Sequence, residues 1–301
     1  MIESIIINGA ILGGIYALLA LGFTLIYGVS GMVNLAHGAF FMLGAFIFSA
    51  FGSFLFSALE PLNVIPTLIL ILALILVALF VGVIGSIVYR LTIHPILGDD
   101  VAIMVVTVSL ALIFQQLMLL TFGFSVPIAP LVTGFITIWG VTVTYMKLLA
   151  FALSIGLFFS LWIFVTKSKI GKAMRALSQD REVAMLMGIN TESLYMLTMA
   201  ISTAFATLAG IFIASALLGG QASAFMWLHP LFTSFAIVVL GGLGSIKGTL
   251  IGSFIIAYAE HSVANLAPQG GQIVTAVPVV IMVLIILIRP KGLFGKRIEM
   301  E

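Results

Sequence analysis

Long apolar segments with almost no charged residues recur along the chain and limit what it can fold into. A helix needs roughly 20 mostly apolar residues to cross the hydrocarbon core of a bilayer. Charged residues make up only 7% of the 301 residues, whereas a soluble domain carries about 25%. Such a chain cannot cover itself with a water-facing surface, and we predict an all-α polytopic membrane protein. The segments that fit a span are 5–27, 33–57, 66–89, 101–121, 148–166, 194–218 and 273–288.

One further apolar segment, 229–259, is too long for a single span and too irregular for a straight helix. Glycines interrupt it at 241–248, where the sequence reads Gly-Gly-Leu-Gly-Ser-Ile-Lys-Gly. Glycine weakens a helix and permits sharp breaks. We expect about eight transmembrane helices if this segment counts once, and nine if it forms two helices that meet at the glycines.

Lysine and arginine cluster in two segments, and cytoplasmic loops of membrane proteins carry an excess of these residues. Five of the twelve lie in 167–181 and four in the C-terminal tail, so both segments are predicted to be cytoplasmic. Counting spans from these loops places the N-terminus outside and the C-terminus in the cytoplasm, provided that 229–259 crosses twice or re-enters. Only Lys147 then lies outside. The basic tail residues are Arg289, Lys291, Lys296 and Arg297.

A short alternating segment lies between the fourth and fifth predicted spans. From Ile136 to Tyr145, apolar and polar residues alternate on both sides of Gly140. This alternation predicts a small extracytoplasmic β-hairpin at 136–145. The hairpin is either a docking surface or a well-packed loop, and an apolar exposed face would favour docking.

The basic loop 167–193 contains the pattern of a short capped helix. Asp180 suits the N-cap, Glu182 lies in the first turn, where the helix dipole favours an acid, and Gly188 suits the C′ position. About two turns of helix are too short to be stable alone in water. The side chains between the caps are unusually apolar. They suit either insertion into a partner's groove or packing against the ends of the protein's own spans.

Several sequence blocks resemble one family of membrane transport proteins. Glu182-Val183-Ala184, followed by Gly188, resembles the EAA---G loop of permease subunits in ABC importers, with valine where the second position is usually alanine. The flanking residues are similar to those of the branched-chain amino-acid subfamily. The Asn-Leu-Ala-His-Gly of 34–38 resembles the LivH-type subunit more than its LivM-type partner. Further blocks similar to this subfamily are 8–28, 241–248 and 289–295.

This resemblance implies that the chain is one subunit of a transporter made of several different chains. It implies a single transmembrane permease domain over 1–301, whose cytoplasmic coupling loop 167–193 docks on an ATP-binding subunit. The implied partners are a LivM-type second permease, two ATP-binding subunits and an extracytoplasmic amino-acid-binding protein, at a prokaryotic inner (plasma) membrane and its lipid. No nucleic acid and no cofactor are expected. The residues assigned to ATPase coupling are Arg175, Asp180, Glu182, Ala184, Met185 and Gly188.

Polar residues inside predicted spans are candidates for the transport path, although many such residues only join helices. Asn34 and His37 lie three residues apart on one face of the second span, beside Gly38. They either line a gate near a helix break at 28–31 or form a bonded pair that fixes helix contacts. Gln115 and Gln116 point about 100° apart, so one of them faces the bundle while the other packs elsewhere.

Two further features of the membrane region are the glycine-rich turn and an acid beside a histidine. Gly242 and Gly244 are predicted to form a hinge or gate near the cytoplasmic side, since broken helices often mark transport sites. Glu260 and His261 fall at the outer end of their helix. We expect an interfacial rim there rather than an intramembrane ion pair.

Other function classes are disfavoured by what the sequence lacks. There is no cysteine, and four scattered histidines without an H-E-x-x-H motif indicate neither a catalytic nor a metal site. No G-x-x-x-x-G-K-[ST] loop is present, so ATP-driven transport would need an ATPase on another chain. The mid-span regions contain no Asp or Glu, which disfavours ion coupling. The alternative to an ATP-driven importer is a passive channel or secondary transporter for small amides or amino acids.

Overall fold

The computed structural model describes residues 2–59, 65–267, 269–289 and 291–294, and these residues form a helical bundle with two small strand pairs. The predicted basic residues Lys296 and Arg297 lie outside the described residues. The strands are β1 (Ser125–Pro127), β2 (Phe135–Ile138), β3 (Val141–Thr144) and β4 (Gln221–Ser223). The helices are α1 (Ile2–Ser30), α2 (His37–Leu59), α3 (Pro66–Val88), α4 (Asp100–Phe122), α5 (Tyr145–Lys167), α6 (Lys169–Leu177), α7 (Arg181–Leu186), α8 (Thr191–Ala216), α9 (Leu228–Gly241), α10 (Ile246–Leu266), α11 (Gly270–Ile273) and α12 (Val277–Ile288).

Seven helices of the described chain are long and apolar enough to cross a membrane. They correspond to the seven predicted spans, with α3 continued by a π-helical turn and a 3₁₀ turn as far as Ile96. The remaining segment 229–259 folds as two helices, α9 and α10, that meet at the glycines. The predicted division of this segment into two helices is therefore confirmed, while α9, with 14 residues, is a shorter apolar helix and not one of the seven candidate spans.

α1 lies at the centre of the bundle, and its residues are buried on every side from Ile11 to Ile26. α10 packs along it, with the Thr24 and Thr249 hydroxyls 2.6 Å apart. Gly13 makes this approach possible, since a Cβ there would lie 2.6 Å from the Phe254 ring. Small residues of this kind let helices pack closely in lipid.

α9 is too short to cross the membrane alone. Its 14 residues rise about 21 Å, against about 30 Å of hydrocarbon. At its C-terminal end, the turn residue Gly244 packs against Gly28 in the last turn of α1. At its N-terminal end, Trp227 and Leu231 contact Gly38 in the first turn of α2. The first turn of α9 therefore lies within the thickness of the bundle.

The second span begins later than predicted, at His37 rather than at residue 33. Asn34 lies in a non-helical connection, not on a helix face with His37, so this part of the prediction is wrong. The Asn34 Oδ1 atom accepts a hydrogen bond from the backbone N–H of Ala36 (3.0 Å). Asparagine side chains stabilise such turns at the expense of helix. The helix break predicted at 28–31 also begins later than expected, because Gly28 is still helical and Gly31 is the first residue outside α1.

The predicted β-hairpin is present as β2 and β3. Trp139 and Gly140 form its two-residue turn, and both have positive φ angles of 49° and 77°. This is the type I′ geometry that matches the twist of the strands. Phe135 and Trp139 of the hairpin are 66% and 72% exposed. The hairpin therefore has the exposed apolar residues that favour a docking role.

A second strand pair, β1 with β4, was not predicted. It joins the connection after α4 to the connection between α8 and α9, with Val126 opposite Ala222. The three-residue strands are too short to show an alternating pattern. By holding the chain just before Trp227, this pair helps to position the start of α9.

Candidate functional site

Both ends of the helix in the basic loop are closed by the residues predicted to cap it. Asp180 Oδ1 accepts a hydrogen bond from the Val183 backbone N–H (3.0 Å) at the start of α7. At its end Gly188 has a φ of 80°, and its N–H and that of the next residue donate to the carbonyls of Met185 and Ala184. These two bonds form a Schellman motif, in which glycine tolerates the positive φ because it has no Cβ.

The apolar side chains around α7 point away from the rest of the protein. Leu186 and Met187 are 86% and 77% exposed, whereas Ala184 is turned inward and only 3% exposed. Packing against the protein's own bundle, one of the two predicted explanations, therefore does not account for them. We call the following four exposed residues the α7 apolar face: Val183, Met185, Leu186 and Met187.

α6 attaches this loop firmly to the bundle. Ser168 caps α6 by accepting a hydrogen bond from the Gly171 N–H (2.9 Å), and Met174 on its inner side is fully buried. Arg175 donates a hydrogen bond to the backbone carbonyl of Val165 near the end of α5. The loop is thus a folded part of the protein rather than a free linker.

The first residue of α7 connects the loop to α8 and α3. The Arg181 guanidinium lies 5.9 Å from the centre of the Tyr195 ring, within the range of a cation–π contact. The Tyr195 ring lies 6.1 Å from the ring of Tyr89 in the π-helical turn after α3. Nearby, Arg90 and Glu192 form an ion pair at 3.8 Å. Through these contacts, a displacement of α7 would also shift α8 and the end of α3.

A cavity of about 960 Å³ opens between this loop and the ends of α1, α4 and α9. Three basic residues, Arg175, Arg181 and Lys291, line it, together with one acid, Asp100. The lining is therefore electropositive. Gly244 of the glycine-rich turn also contributes to the wall. We call this space the loop-side cavity.

The loop-side cavity leads inward toward Asn34. A small void of about 10 Å³ is lined by Asn34 and Tyr89, and it shares Met32, Ile103 and Tyr195 with the larger cavity. This volume is close to the minimum that holds one water molecule. Asn34 thus lies at the inner end of the cavity.

His37 lies just beyond Asn34, and both side chains are buried, at 0% and 2% exposure. The His37 Nε2 atom is 3.0 Å from the carbonyl oxygen of Leu19, and a carbonyl only accepts, so Nε2 carries the proton. Its Nδ1 atom is 3.4 Å from the Ser202 hydroxyl. The bond to Leu19 holds the start of α2 against α1, and the Ser202 contact places His37 beside α8, although the Ser202 hydroxyl donates its proton to the Gly22 carbonyl (2.7 Å). A gating role for Asn34 and His37 is still a prediction.

Gly38 lets the first turns of α2 and α9 meet. A Cβ on Gly38 would lie 2.5 Å from the Trp227 carbonyl oxygen and 2.8 Å from Leu231 Cβ. Both distances are shorter than side chains accept, so a larger residue would push the two helices apart. Two helix N-termini are thereby adjacent inside the bundle.

The two glutamines of α4 diverge as predicted. Gln115 faces the bundle, and its Oε1 atom accepts a hydrogen bond from the Trp227 indole N–H (2.6 Å). Gln116 is exposed on the outer side of α4. Gln115 therefore ties α4 to the residue that precedes α9.

The glycine-rich turn is closed by the segment that follows α12. Gly242 and Gly244 both have positive φ angles, 98° and 79°. The N–H of Leu293 donates to the carbonyl of Leu240 (2.8 Å), and that of Phe294 donates to the carbonyl of Gly241 (3.1 Å). The described part of the 289–295 block thus supplies backbone partners to the turn. Pro290 and Gly295 of that block lie outside the described residues.

The expectation that Glu260 belongs to an interfacial rim is wrong. Glu260 is 2% exposed, and its Oε2 atom accepts a hydrogen bond from the Tyr16 hydroxyl (2.8 Å). Its Oε1 atom lies 3.4 Å from His229 Nε2. Because α10 packs along α1, this face of α10 points into the bundle. The interior therefore contains a carboxylate one residue beyond 229–259.

Comparison with known proteins agrees with this architecture. Residues 5–288 match the family described as "Branched-chain amino acid transport system / permease component". The chain belongs to this family. It is 31% identical to the high-affinity branched-chain amino acid transport system permease protein LivH of Escherichia coli, over 96% of this chain and 94% of LivH.

Two more proteins are similar to this permease. It is 29% identical to BraD of Pseudomonas aeruginosa, a permease protein of a high-affinity branched-chain amino acid transport system, over 97% of this chain and 95% of BraD. A solved structure described as PsaBC from Streptococcus pneumoniae in complex with Fab aligns with 97% of each chain, at 14% identity and a TM-score of 0.49. Its family and its seven candidate spans together make the permease a multi-pass membrane transport protein of the branched-chain amino acid family.

Tyr16 and His229 were missed by the sequence reasoning. Both lie in apolar segments more than 200 residues apart, and only the packing of α1, α9 and α10 brings them to Glu260. The available signal was the adjacent pair of ionisable residues, Glu260 and His261, in a helix whose other charged residue, Lys247, lies at its opposite end.

Proposed function

We propose that this permease is the translocation subunit of an ABC importer that moves branched-chain, hydrophobic amino acids across the prokaryotic inner membrane. ATP hydrolysis takes place on two separate ATP-binding subunits, and the chain performs transport rather than catalysis. A LivM-type permease completes the pore. An extracytoplasmic binding protein delivers the amino acid, and the hairpin of β2 and β3 is a candidate for its docking surface.

The α7 apolar face is the observation that carries this proposal. Fully burying a leucine or methionine side chain contributes about 1.5–3 kcal/mol, so an exposed group of them on a water-side helix marks a surface that gains free energy by docking on a partner. Met adapts to irregular surfaces, and short amphipathic helices commonly dock in grooves. α7 is thus the coupling helix that inserts into an ATP-binding subunit.

The six coupling residues have different roles. Asp180 and Gly188 shape the ends of α7, and Ala184 is the buried residue of this helix, which packs against α6 and α8. Met185 contributes to the α7 apolar face, while Glu182 in the first turn favours the helix through its dipole. Arg175, which bonds to the end of α5, lets movement of the loop reach the bundle.

Movement of α7 has a route toward the gate candidates. Arg181 of α7 stacks on Tyr195, which contacts Tyr89, and Tyr89 lines the same small void as Asn34. We infer that ATP-driven displacement of α7 changes access between the loop-side cavity and the start of α2. With the N-terminus outside, as the basic residues indicate, this cavity faces the cytoplasm.

Ion-coupled secondary transport is the second candidate function, and Glu260 is the observation that favours it. A buried carboxylate in a membrane protein often binds a proton or a sodium ion. Secondary transport does not explain why the α7 apolar face is exposed. It predicts substrate uptake that follows an ion gradient and needs no ATP.

Co-expression with the candidate ATP-binding subunits tests the proposal. The permease alone carries an affinity tag, and the amount of ATP-binding subunit that co-purifies is measured. The wild-type permease is expected to retain the subunit. The double variant Glu182→Arg with Gly188→Trp is expected to lose the subunit. Arginine places a cation in the first turn of α7, where the helix dipole disfavours it, and tryptophan at the C′ position disfavours the positive φ that glycine adopts there.

A matched control is Phe135→Arg, which adds the same cation at an exposed residue of the hairpin of β2 and β3, outside the coupling loop. It should co-purify the ATP-binding subunit as well as wild type does. Size-exclusion profiles check that every variant is inserted and folded. If the subunit binds wild type and the double variant equally, or binds neither, the coupling assignment fails and a passive or ion-driven transporter becomes the better account.

A further inference from the structure

Glu260 is a buried carboxylate with one oxygen left open. Its Oε2 atom is bonded to the hydroxyl of Tyr16, the middle residue of α1. In the described part of the chain, its Oε1 atom has no hydrogen-bond donor. A buried ionised oxygen without a donor is costly. This oxygen is therefore suited to a cation that is bound only part of the time.

His229 is the group nearest to the open oxygen. Its Nε2 atom lies 3.4 Å from Glu260 Oε1, and no hydrogen bond to Nε2 is formed within the described residues. The His229 side chain is 32% exposed. A histidine facing lipid at this depth would be unfavourable, so this opening faces protein or a water-filled path. His229 thus separates Glu260 from that path.

The first turn of α9 supplies the opposite charge. His229 is the second residue of α9, and among the described residues no side chain caps this helix. The N-terminus of a helix carries a partial positive charge and free N–H groups, which bind carboxylates. Thr233, one turn further along, is fully buried beside Tyr16, and its hydroxyl makes no well-formed hydrogen bond within the described chain. A negative and a positive group therefore lie side by side.

The geometry points to this place as the binding site for the zwitterionic backbone of the transported amino acid. The α-ammonium group binds Glu260 Oε1, and the α-carboxylate binds the first turn of α9 near Thr233. The inference rests on the proposed function and deepens it. In the substrate-free state His229 occupies the space beside Glu260, and it turns away when the ammonium group arrives. The apolar side chain of the substrate then faces the exposed Leu228 and Phe232 of α9.

Thermal unfolding of the full-length permease in lipid nanodiscs tests this site without any ATPase. The probes are leucine, 3-methylbutylamine (leucine without its carboxylate) and 4-methylpentanoate (leucine without its ammonium group), each at tens of millimolar. Leucine should stabilise the wild type most, and each half-molecule should stabilise it less. No stabilisation of the wild type by leucine would overturn the inference.

The variant Glu260→Gln keeps the size of the side chain and removes its charge. Loss of a hydrogen bond to a charged group should weaken binding of leucine and 3-methylbutylamine about tenfold or more, while 4-methylpentanoate is affected little. Equal stabilisation of wild type and Glu260→Gln by the amine would contradict the site. Glu192→Gln, the same change at an exposed ion pair, should leave all three shifts unchanged.

A second variant covers the case in which Glu260→Gln does not fold. Glu260→Asp keeps the charge but shortens the side chain, and it should bind the amine more weakly than wild type does. Unchanged amine binding in Glu260→Asp would overturn the inference. Failure here is separable from failure of the proposed function, because co-purification of the ATP-binding subunit depends on α7 and not on Glu260.

Discussion

Leu186 allows the coupling assignment to be tested with a single truncation. Its side chain is 86% exposed, so nearly all of its apolar surface remains available to a partner. Burying a leucine side chain contributes about 1.5–3 kcal/mol. Allowing for the part already covered and the methyl group that alanine keeps, we expect Leu186→Ala to lose about 1–2 kcal/mol of docking energy. This corresponds to roughly 5- to 30-fold weaker binding of the ATP-binding subunit.

The assay is a titration of purified ATP-binding subunit onto the permease in nanodiscs. Because Leu186 makes so little contact within the permease, its truncation should change the permease's own stability by less than about 0.5 kcal/mol. Leu120→Ala on the outer side of α4 is the matched control, since Leu120 is 75% exposed but far from the loop. Affinity within twofold of wild type for Leu186→Ala would refute the docking role of the α7 apolar face.

Three further predictions concern the loop and the start of α9. Gly188→Ala should destabilise the end of α7 by about 1 kcal/mol, because its φ is 80°, and hydrogen exchange of the α7 amides should accelerate. Trp227→Phe should lower permease stability by about 1 kcal/mol in thermal unfolding, since Gln115 loses its donor; unchanged stability would mean that the bond contributes nothing. Gly38→Ala should cost about 1–3 kcal/mol and reduce leucine uptake, as Trp227 and Leu231 must move; wild-type uptake would count against close helix contact.

Features encoded by local chemistry could be predicted from the sequence. The hairpin followed from alternation around Gly140, and the ends of α7 followed from Asp180 and Gly188. Each of these depends on residues within a few positions of one another. The spans could be predicted from hydrophobicity alone, because a helix that crosses the bilayer core must be apolar along most of its length.

Features that depend on distant packing could not be predicted. The sequence shows that Glu260 lies near the end of its helix, and this position predicts a rim. Whether its side chain points outward or into the bundle depends on how α10 packs along α1. Asn34 fits a helical pattern with His37, yet its side chain stabilises a turn instead. The depth at which α9 starts depends on the pairing of β1 with β4, two strands nearly 100 residues apart.

The central claim is that a separate ATPase drives amino-acid movement through this permease. The most direct measurement is uptake of radiolabelled leucine into proteoliposomes that contain the permease with its partner permease, ATP-binding subunits and binding protein. ATP-driven import predicts uptake that requires hydrolysable ATP and is lost with Glu182→Arg and Gly188→Trp. Equal uptake without ATP, or uptake that follows an imposed proton or sodium gradient, would contradict it.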